Sequence, residues 1–366
     1  MAYTTIDDPS AHFQTQLWTG DGATSDRNIT NTGNSDLQPD MIWGACRSHV
    51  QHRHATDSSR GWSTGNKELV LNYNYAEGDT NAVNTGGYGW LGPSITDGFV
   101  SNYASVNNGY WNVNARTYCA WQWKANGGTT ASNSNGTITS TVQANTTAGF
   151  SIVTYTGTGS AATVGHGLGV TPDMIIFKNR SGANVWATYH QGLGNNLKLE
   201  LNGTGAQDSD GAFMNGTLPT SSVFSVGASA NTNTGSSNYV AYCFNSVQGY
   251  SKFGTYTGNG NTVGPFVYTG FKPEFVIVKN TAVNNMWNIY DGQRKRGNSD
   301  YANMFYMNGT NAEYTGASYH NLDILSNGFK IRLTDASQNG NGNKHIYMAF
   351  AKSPFVTSTA VPATAR

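Results

Sequence analysis

Short apolar runs separated by polar turn residues recur along the whole chain and predict β-strands. Residues 174–178 form a largely apolar run of the length expected for a strand that is buried on both faces. Apolar and polar residues alternate in 185–189 and in 286–290, as in a strand with one buried face. Asn-Gly pairs, as at Asn202-Gly203 and Asn327-Gly328, favour type I′ turns, because both central residues of that turn need positive φ.

The strand pattern occurs three times along the chain. Each copy begins with an aromatic residue and Thr-Gly-x-Gly, continues with proline, an acidic residue and an apolar run, and ends with Tyr-x-Ala-aromatic. The openings lie at 18–22, 155–159 and 256–260, the prolines are Pro39, Pro172 and Pro273, and the closings lie at 118–121, 239–242 and 347–350. The same landmarks in the same order indicate three homologous units.

These units predict an all-β fold of three tandem β-sandwich, jelly-roll-like repeats with Gly/Asn-rich turns, because each holds about six to eight short strands. The predicted parts are an N-terminal docking arm at 1–16, unit 1 at 17–125, a linker at 126–148, unit 2 at 149–249, unit 3 at 250–355 and a C-terminal tail at 356–366. The linker composition favours a flexible connection, although 136–142 alternates as a strand would. The arm has no sandwich of its own to join.

Composition narrows the function classes. Only 11% of the residues are charged, and 21 Lys and Arg balance 21 Asp and Glu. Nucleic-acid binding is not expected, because it needs clustered positive charge. No apolar run approaches the roughly 20 residues of a membrane helix, so no membrane insertion is expected. With 12% aromatic residues and few charges, a lone chain would expose apolar patches, which predicts self-association.

Histidines and aromatic residues of unit 1 are the candidates for a binding site. His52 and His54 would face one side of a strand and, with His49, are candidate zinc ligands, but a polar surface segment explains them as well. Aromatic residues are dense in the same unit, and they either fill a core or subunit interface or form a platform for sugar rings. Trp90 and Trp111 are the first candidates for ligand binding, because flanking glycines allow turns that bring a ring to solvent. Trp186 and Trp287 occupy equivalent repeat positions and are predicted to be structural.

The sequence has few residues suited to catalysis. Glycosidic cleavage needs paired carboxylates, and the five glutamates stand in no recognisable catalytic context: Glu68, Glu77, Glu200, Glu274 and Glu313. No phosphate-binding glycine loop that opens a helix is recognisable. The sequence therefore predicts neither an enzyme nor a bound cofactor.

Several segments carry a resemblance to known proteins. They are the start at 1–10 with 13–15, then 33–40, 148–153, 156–159, 165–169, 248–254 and 266–271. Together they resemble a family of virion proteins of marine tailed phages, including phages of cyanobacteria, and the resemblance covers nearly the whole chain. Unit 1 departs from the family pattern at 43–47, and 48–54 has no counterpart in the other units.

The resemblance implies a tail or fibre structural protein whose units are similar to concanavalin-like jelly rolls. The expected function is a non-enzymatic adhesin on the outside of the virion that contacts host surface glycans. It would attach to other virion proteins through the arm and associate as a homotrimer, as phage fibre proteins commonly do. A structural decoration of the capsid or tail is the alternative, and a polysaccharide-degrading enzyme is the third.

Overall fold

The structure is a computed structural model that describes residues 2–62, 67–79, 89–103, 110–294, 298, 303–315 and 321–362. Strands make up 41% of the chain and helices 2%. The helical turns are the 3-10 turn Pro9–Ala11 and α1 (Ala336–Asn339). The prediction of an all-β sandwich fold is confirmed.

Three larger antiparallel sheets share one strand order. In unit 1 the order is β1 (Phe13–Thr19), β8 (Thr117–Trp123), β3 (Met41–Cys46), β4 (His54–Asp57) and β5 (Leu69–Val70). In unit 2 it is β11 (Phe150–Thr156), β18 (Asn238–Phe244), β13 (Met174–Asn179), β14 (Ala187–His190) and β15 (Leu197–Glu200). In unit 3 it is β19 (Ser251–Thr257), β26 (Lys344–Pro354), β21 (Phe271–Asn280), β22 (Asn288–Asp291) and β23 (Phe305–Tyr306).

A smaller sheet covers one face of each larger sheet. The smaller sheets are β2 (Arg27–Ile29), β7 (Gly98–Ser101) and β6 (Leu91–Ile95) in unit 1, β12 (Ala162–Gly165) and β17 (Val223–Val226) in unit 2, and β20 (Phe266–Tyr268), β25 (Gly328–Ile331) and β24 (Leu322–Leu325) in unit 3. Each pair of sheets encloses its own apolar core, into which Phe99, Phe224 and Phe329 project from β7, β17 and β25. The three-repeat interpretation remains a prediction from the sequence, and the common strand order supports it.

The opposite faces of the three larger sheets meet in a central core. In β13, Ile175 and Phe177 belong to the core of unit 2, whereas Met174 and Ile176 belong to the central core. Trp123 of unit 1 lies within 6.4 Å, between ring centroids, of Phe244 of unit 2 and within 5.7 Å of Phe350 of unit 3. Successive side chains of a strand point to opposite faces, so a strand between two cores reads as a continuous apolar run.

The central core corrects the argument for self-association. Trp43, Trp121 and Trp123 lie in the central core and are covered by residues of the other units of the same chain. Among the described residues, the exposed large apolar side chains are scattered: Val50, Tyr73, Tyr103, Val170, Leu218, Val263, Phe266, Tyr268, Val283 and Val361. Single exposed apolar residues are normal on protein surfaces, so a homotrimer stays a prediction without this support.

The predicted flexible linker is wrong in its central part. Residues 126–148 contain β9 (Ala131–Asn133) and β10 (Ser140–Asn145), which extend the larger sheet of unit 2 beyond β11. The other edge of that sheet is extended by β16 (Asp208–Ser209). The alternation in 136–142 is confirmed only in part, since 140–142 lie in β10 and Ile138 makes an isolated bridge to Val164.

The N-terminal segment is bound to the chain itself, contrary to the expectation of an arm with nothing to join. The Tyr3 hydroxyl donates to the Gly270 carbonyl at 2.7 Å, and the Thr4 hydroxyl donates to the Gln248 carbonyl at 2.8 Å. Ile6 is buried in the central core. Asp7 accepts hydrogen bonds from the backbone and side chain of Ser358. The first strand already begins at Phe13, inside the predicted arm.

We expect Ile6→Ala to lower the free energy of unfolding by about 2–4 kcal/mol, because it leaves a cavity in the central core. Urea denaturation measures the change. Val263→Ala, at a side chain that is 64% exposed, serves as the control and should change stability by less than about 0.5 kcal/mol. Equal stability of the Ile6→Ala protein and the wild type would show that the N-terminal segment is not part of the fold.

The three units contact one another in a cycle. The Tyr242 hydroxyl of unit 2 donates to the Asp57 carboxylate of unit 1 at 2.6 Å. At the equivalent strand positions, Trp121 Nε1 of unit 1 donates to Asp291 of unit 3 at 2.9 Å. His190 of unit 2 lies at the position equivalent to both aspartates, and its Nε2 is 3.3 Å from the Tyr347 carbonyl of unit 3. Each unit thus borders both others.

Buried ion pairs extend two of the three interfaces. Between units 1 and 2, Asp57 binds Arg60, which binds Glu77, which in turn binds Arg180 of unit 2. The same chain of ion pairs joins units 3 and 1. Asp291 binds Arg294, which binds Glu313, which in turn binds Arg47 of unit 1. Arg60 and Arg294 are each buried, and the Nη1–Oε1 distances to their glutamates are 2.6 and 3.0 Å.

The interface between units 2 and 3 has no charges at the matching positions. The chain there carries His190, Leu193, Gln207 and Thr281, and a backbone hydrogen bond from Gln207 to Thr281 is retained at 2.8 Å. Its counterparts join Glu77 to Arg180 and Glu313 to Arg47 at 2.9 and 2.8 Å. The backbone contact is thus common to the three interfaces, whereas the ion pairs occur in two.

Candidate functional site

Four rings meet on the surface of unit 1, and we call His52, Tyr73, Tyr75 and Tyr110 the aromatic cluster. Tyr73 and Tyr75 stack with their ring centroids 4.2 Å apart. The His52 ring contacts Tyr73, Tyr75 and Tyr110 edge-on at 6.0, 6.3 and 6.5 Å. Tyr73 is 45% exposed and the other three rings are half-buried. The cluster therefore presents one exposed ring, Tyr73, beside three half-buried rings at the surface.

Neighbouring strands of the larger sheet hold the cluster in place. His52 precedes β4 and Tyr73 and Tyr75 follow β5, and these strands are paired. Between them, the Arg53 backbone N–H donates to Asn72 Oδ1 at 2.7 Å, and Asn72 Nδ2 lies 3.1 Å from His52 Nδ1. Binding sites on such supported elements hold their geometry better than free loops.

The buried Arg53 holds the segment 48–54 in place. Its contacts explain how unit 1 departs from the repeat pattern. Its backbone bond to Asn72 matches the bonds of Trp186 to Asn202 and Trp287 to Asn308. The Arg53 guanidinium donates to carbonyls of Gln51 and of unit 3 and lies 4.4 Å above the Phe305 ring.

Lysines make the matching contacts in the other units. Lys178 and Lys279 each donate to carbonyls of their own loop and of the neighbouring unit, whereas Ala45 stands at that strand position in unit 1. Arg53 thus makes the backbone hydrogen bond that a tryptophan makes in the other units. It also makes the contact with a carbonyl of the neighbouring unit that a lysine makes there. The segment 48–54, which has no sequence counterpart in the other units, ends on this anchor and on His54.

A buried layer supports the cluster from the inside. His54 Nδ1 lies 3.2 Å from Glu68 Oε2, and Trp111 Nε1 donates to Glu68 Oε1 at 3.3 Å. The His54 ring is 4.7 Å from Tyr110 and 5.5 Å from Trp111. All three of these supporting side chains are buried, so they fix the rings above them and do not touch solvent.

The electrostatics of the cluster favour uncharged ligands. Burial, and then the nearby His54, lower the pKa of His52, so its ring is neutral at neutral pH. Burial and the neighbouring Tyr73 raise the pKa of Tyr75, so its hydroxyl keeps its proton. Neutral aromatic faces with hydroxyl donors suit an amphipathic ligand that has an apolar face and polar edges.

The structure places Trp90 and Trp111, the first candidates for ligand binding, in different environments. Trp111 is 1% exposed and stacks on Trp18 in the core of unit 1, so the expectation that it brings a ring to solvent is wrong. Trp90 is half-buried, and its carbonyl accepts the Asn102 backbone N–H at 2.9 Å. Tyr88, in the same dense stretch, lies outside the described residues. Trp186 and Trp287 are buried in the central core.

The histidines are not brought together as a metal site. His49 is exposed beside Ser48, His52 belongs to the cluster, and His54 is buried against Glu68. Within the part of the chain that the structure describes, no group of three or more His, Cys, Asp or Glu side chains is placed to hold a metal ion.

Most buried carboxylates are engaged in structural contacts. Asp57, Glu77, Asp291 and Glu313 belong to the ion pairs between units. Asp40 accepts hydrogen bonds from three backbone N–H groups at 125–128 and from Ser58 and Gln143. Carboxylates that accept charge-assisted hydrogen bonds in this way hold the fold together.

Comparison with known proteins identifies a family. No curated protein and no solved structure matches the chain. In the described residues, no helix has the length and apolar character needed to cross a membrane. A family model extends over residues 8–354 and so takes in all three larger sheets. The chain therefore belongs to the family described as a domain of unknown function, DUF7483.

Proposed function

We propose that the chain is a non-enzymatic virion protein of a tailed phage that contacts host surface glycans through the aromatic cluster. The observation that carries this proposal is the stacked, solvent-facing pair of Tyr73 and Tyr75 on a supported sheet edge. Tyrosine rings supply a large contact area at low cost in conformational entropy. Asn72 and Asn74 support the rings, because Asn72 bonds to Arg53 and His52, and Asn74 Nδ2 donates to the Ala183 carbonyl at 3.3 Å.

The remainder of the molecule supports a structural role. Three sheet pairs around one core, joined by buried ion pairs, make a rigid body on which a binding surface keeps its shape. The involvement of Asp57, Glu77, Asp291 and Glu313 in that framework leaves few carboxylates for acid–base chemistry. We further propose display on the particle exterior and attachment to other virion proteins, with the N-terminal segment contributing while bound to unit 3.

Decoration of the capsid or tail is the second candidate function. The cyclic contacts among units favour it, because a closed rigid body contributes shape and stability without any ligand. The two proposals differ in what the aromatic cluster does: an adhesin needs those rings and a decoration does not.

We expect Tyr73→Ala and Tyr75→Ala to weaken adsorption to host cells by about 2–10-fold each, because each removes one stacking surface worth about 0.5–1.5 kcal/mol. Both residues lie at the surface, so thermal unfolding should change little. The measurement is adsorption of purified protein or of particles carrying the variants.

Phe266→Ala is the matched control, since Phe266 is a 47% exposed aromatic residue on unit 3, away from the cluster. It should leave adsorption unchanged. If the two tyrosine variants fold and adsorb like the wild type, the adhesin proposal fails at this site and the decoration proposal replaces it.

A further inference from the structure

A cavity of about 260 Å³ lies where unit 3 meets the first strand of unit 1. Gln14, Thr15 and residues 32–34 line it from unit 1, and Glu274 and Lys352 line it from unit 3. The volume is just below the range of pockets for drug-sized ligands, so it suits a molecule of about one ring. The cavity is distant in the chain from the aromatic cluster and shares no residue with it.

Buried polar atoms in this cavity have no hydrogen-bond partner. Glu274 and Thr15 are 5% and 4% exposed. Thr15 Oγ1 makes no hydrogen bond, and the two carboxylate oxygens of Glu274 have none of full geometry, with Gln293 on the cavity wall as the neighbouring side-chain donor. Lys352 Nζ is 3.8 Å from Glu274 Oε2, beyond hydrogen-bond distance. Leaving a buried polar group unpaired costs about 1–3 kcal/mol, and more when it is charged, so three such atoms in one cavity indicate a missing partner.

The equivalent carboxylates in the other units are satisfied. The backbone carbonyls of Asp40, Asp173 and Glu274 accept the same turn N–H, from Ser58, Gln191 and Gly292. The Asp40 side chain accepts five hydrogen bonds, and Asp173 accepts the Ser246 N–H at 2.7 Å.

The local backbone explains why Glu274 differs. The pairing of β21 with β26 shifts register around Pro273, and the side chain is one carbon longer than that of aspartate. It therefore lines the cavity instead of capping a backbone turn.

We propose that this cavity binds one neutral sugar ring or a similar small polyol. The two Glu274 oxygens can accept bonds from neighbouring hydroxyls, while Thr15 Oγ1 and the Lys352 ammonium can donate to others. Glu274 and Lys352 have opposite charges, so a cation would be repelled by the lysine and an anion by the glutamate. A neutral ligand rich in hydroxyl groups satisfies every unpaired atom at no such cost.

The charge state of Glu274 sets the conditions for a test. Burial raises the pKa of Glu274 to about 7, and Lys352 opposes that rise. At pH 8 the group is largely the carboxylate that the proposal requires. The test uses the full chain and the neutral monosaccharides glucose, galactose, mannose and fucose, with glucosamine and glucuronate as charged probes, followed by amide NMR shifts.

At least one neutral sugar should give saturable shifts in residues 13–15 and 32–34 with a millimolar Kd. Glu274→Gln should weaken that binding about tenfold or more, because the amide keeps one acceptor oxygen and puts an NH2 donor where the second hydroxyl would donate. Asp173→Asn is the matched control at the same landmark of unit 2 and should bind the sugar as the wild type does.

Three results would overturn the proposal: no saturable shift at about 50 mM sugar, where a millimolar Kd is saturated, binding of the charged probes alone, or unchanged binding by Glu274→Gln. The site is independent of the aromatic cluster, so Glu274→Gln leaves host adsorption unaffected if the Tyr73 and Tyr75 rings carry it. The two proposals therefore fail by different measurements.

Discussion

Replacing Arg294 by leucine is expected to lower the free energy of unfolding by about 3–5 kcal/mol, because removing one partner leaves a buried charge unpaired. Arg294 is fully buried between Asp291 and Glu313, and its guanidinium also lies 4.6 Å above the Phe305 ring. Asp291 would lose its counter-charge, and Glu313 would keep only Arg47. Urea denaturation followed by tryptophan fluorescence measures the loss.

The control is Arg332→Leu, at a half-exposed arginine whose Nε is 3.4 Å from Asp323. Surface ion pairs contribute about 0–1 kcal/mol, so this variant should stay within that range. The triple variant Asp291→His, Arg294→Leu and Glu313→Gln copies the residues that unit 2 carries at these positions and should recover part of the loss. A loss below about 1 kcal/mol for Arg294→Leu would show that the pair does not hold the units together.

Acid is expected to destabilise the wild type by about 2 kcal/mol relative to His190→Gln between pH 6.5 and pH 5. Burial lowers the pKa of His190 to about 4, with the Tyr347 carbonyl opposing, whereas the unfolded histidine titrates near 6.5. In that window the unfolded state binds the proton and the folded state does not. Stability is fully present above pH 6.5 and falls by about 1.4 kcal/mol per pH unit toward pH 4.

The wild type has to be compared with His190→Gln because protonation of Glu274 changes the folding stability in the opposite direction. Its pKa is raised to about 7 in the fold, so the folded state gains stability as the pH falls from 7 toward 4.5. Glu274→Gln should therefore steepen the acid loss, and His190→Gln should flatten it. Parallel stability–pH curves for the wild type and His190→Gln would rule out this role of His190.

The strands could be predicted from the sequence because the pattern that indicates a strand lies within its own residues. Alternation in 286–290 and the apolar run at 174–178 coincide with parts of β22 and β13. The placement of Trp111 could not be predicted, because a ring in a glycine-rich stretch looks the same whether a smaller sheet covers it or not. The role of Tyr73 and Tyr75 depends on β4 and β5 being paired, which is a contact between distant residues.

The interfaces between units could not be predicted from the sequence pattern either. Asp57, His190 and Asp291 are recognised as equivalent only through the strand register. Each pairs with the apolar residue that follows the proline–acid landmark, which is Met41, Met174 or Phe275. Glu274 gave one visible signal, a glutamate where units 1 and 2 have aspartate. That signal marks a difference but does not reveal a cavity, which requires residues 13–15 of unit 1 on the other side.

The contact between units 2 and 3, which carries no ion pair at the matching positions, has a consequence for how the molecule can evolve. Three separate identical chains would have to use one surface three times, so any substitution would appear at every contact at once. In a single polypeptide each border can change alone. His190 and Leu193 could replace an aspartate–arginine pair at one border while Arg60 and Arg294 kept the others. Because the three units share one polypeptide, their interfaces need not be symmetric. Each interface can change independently of the other two.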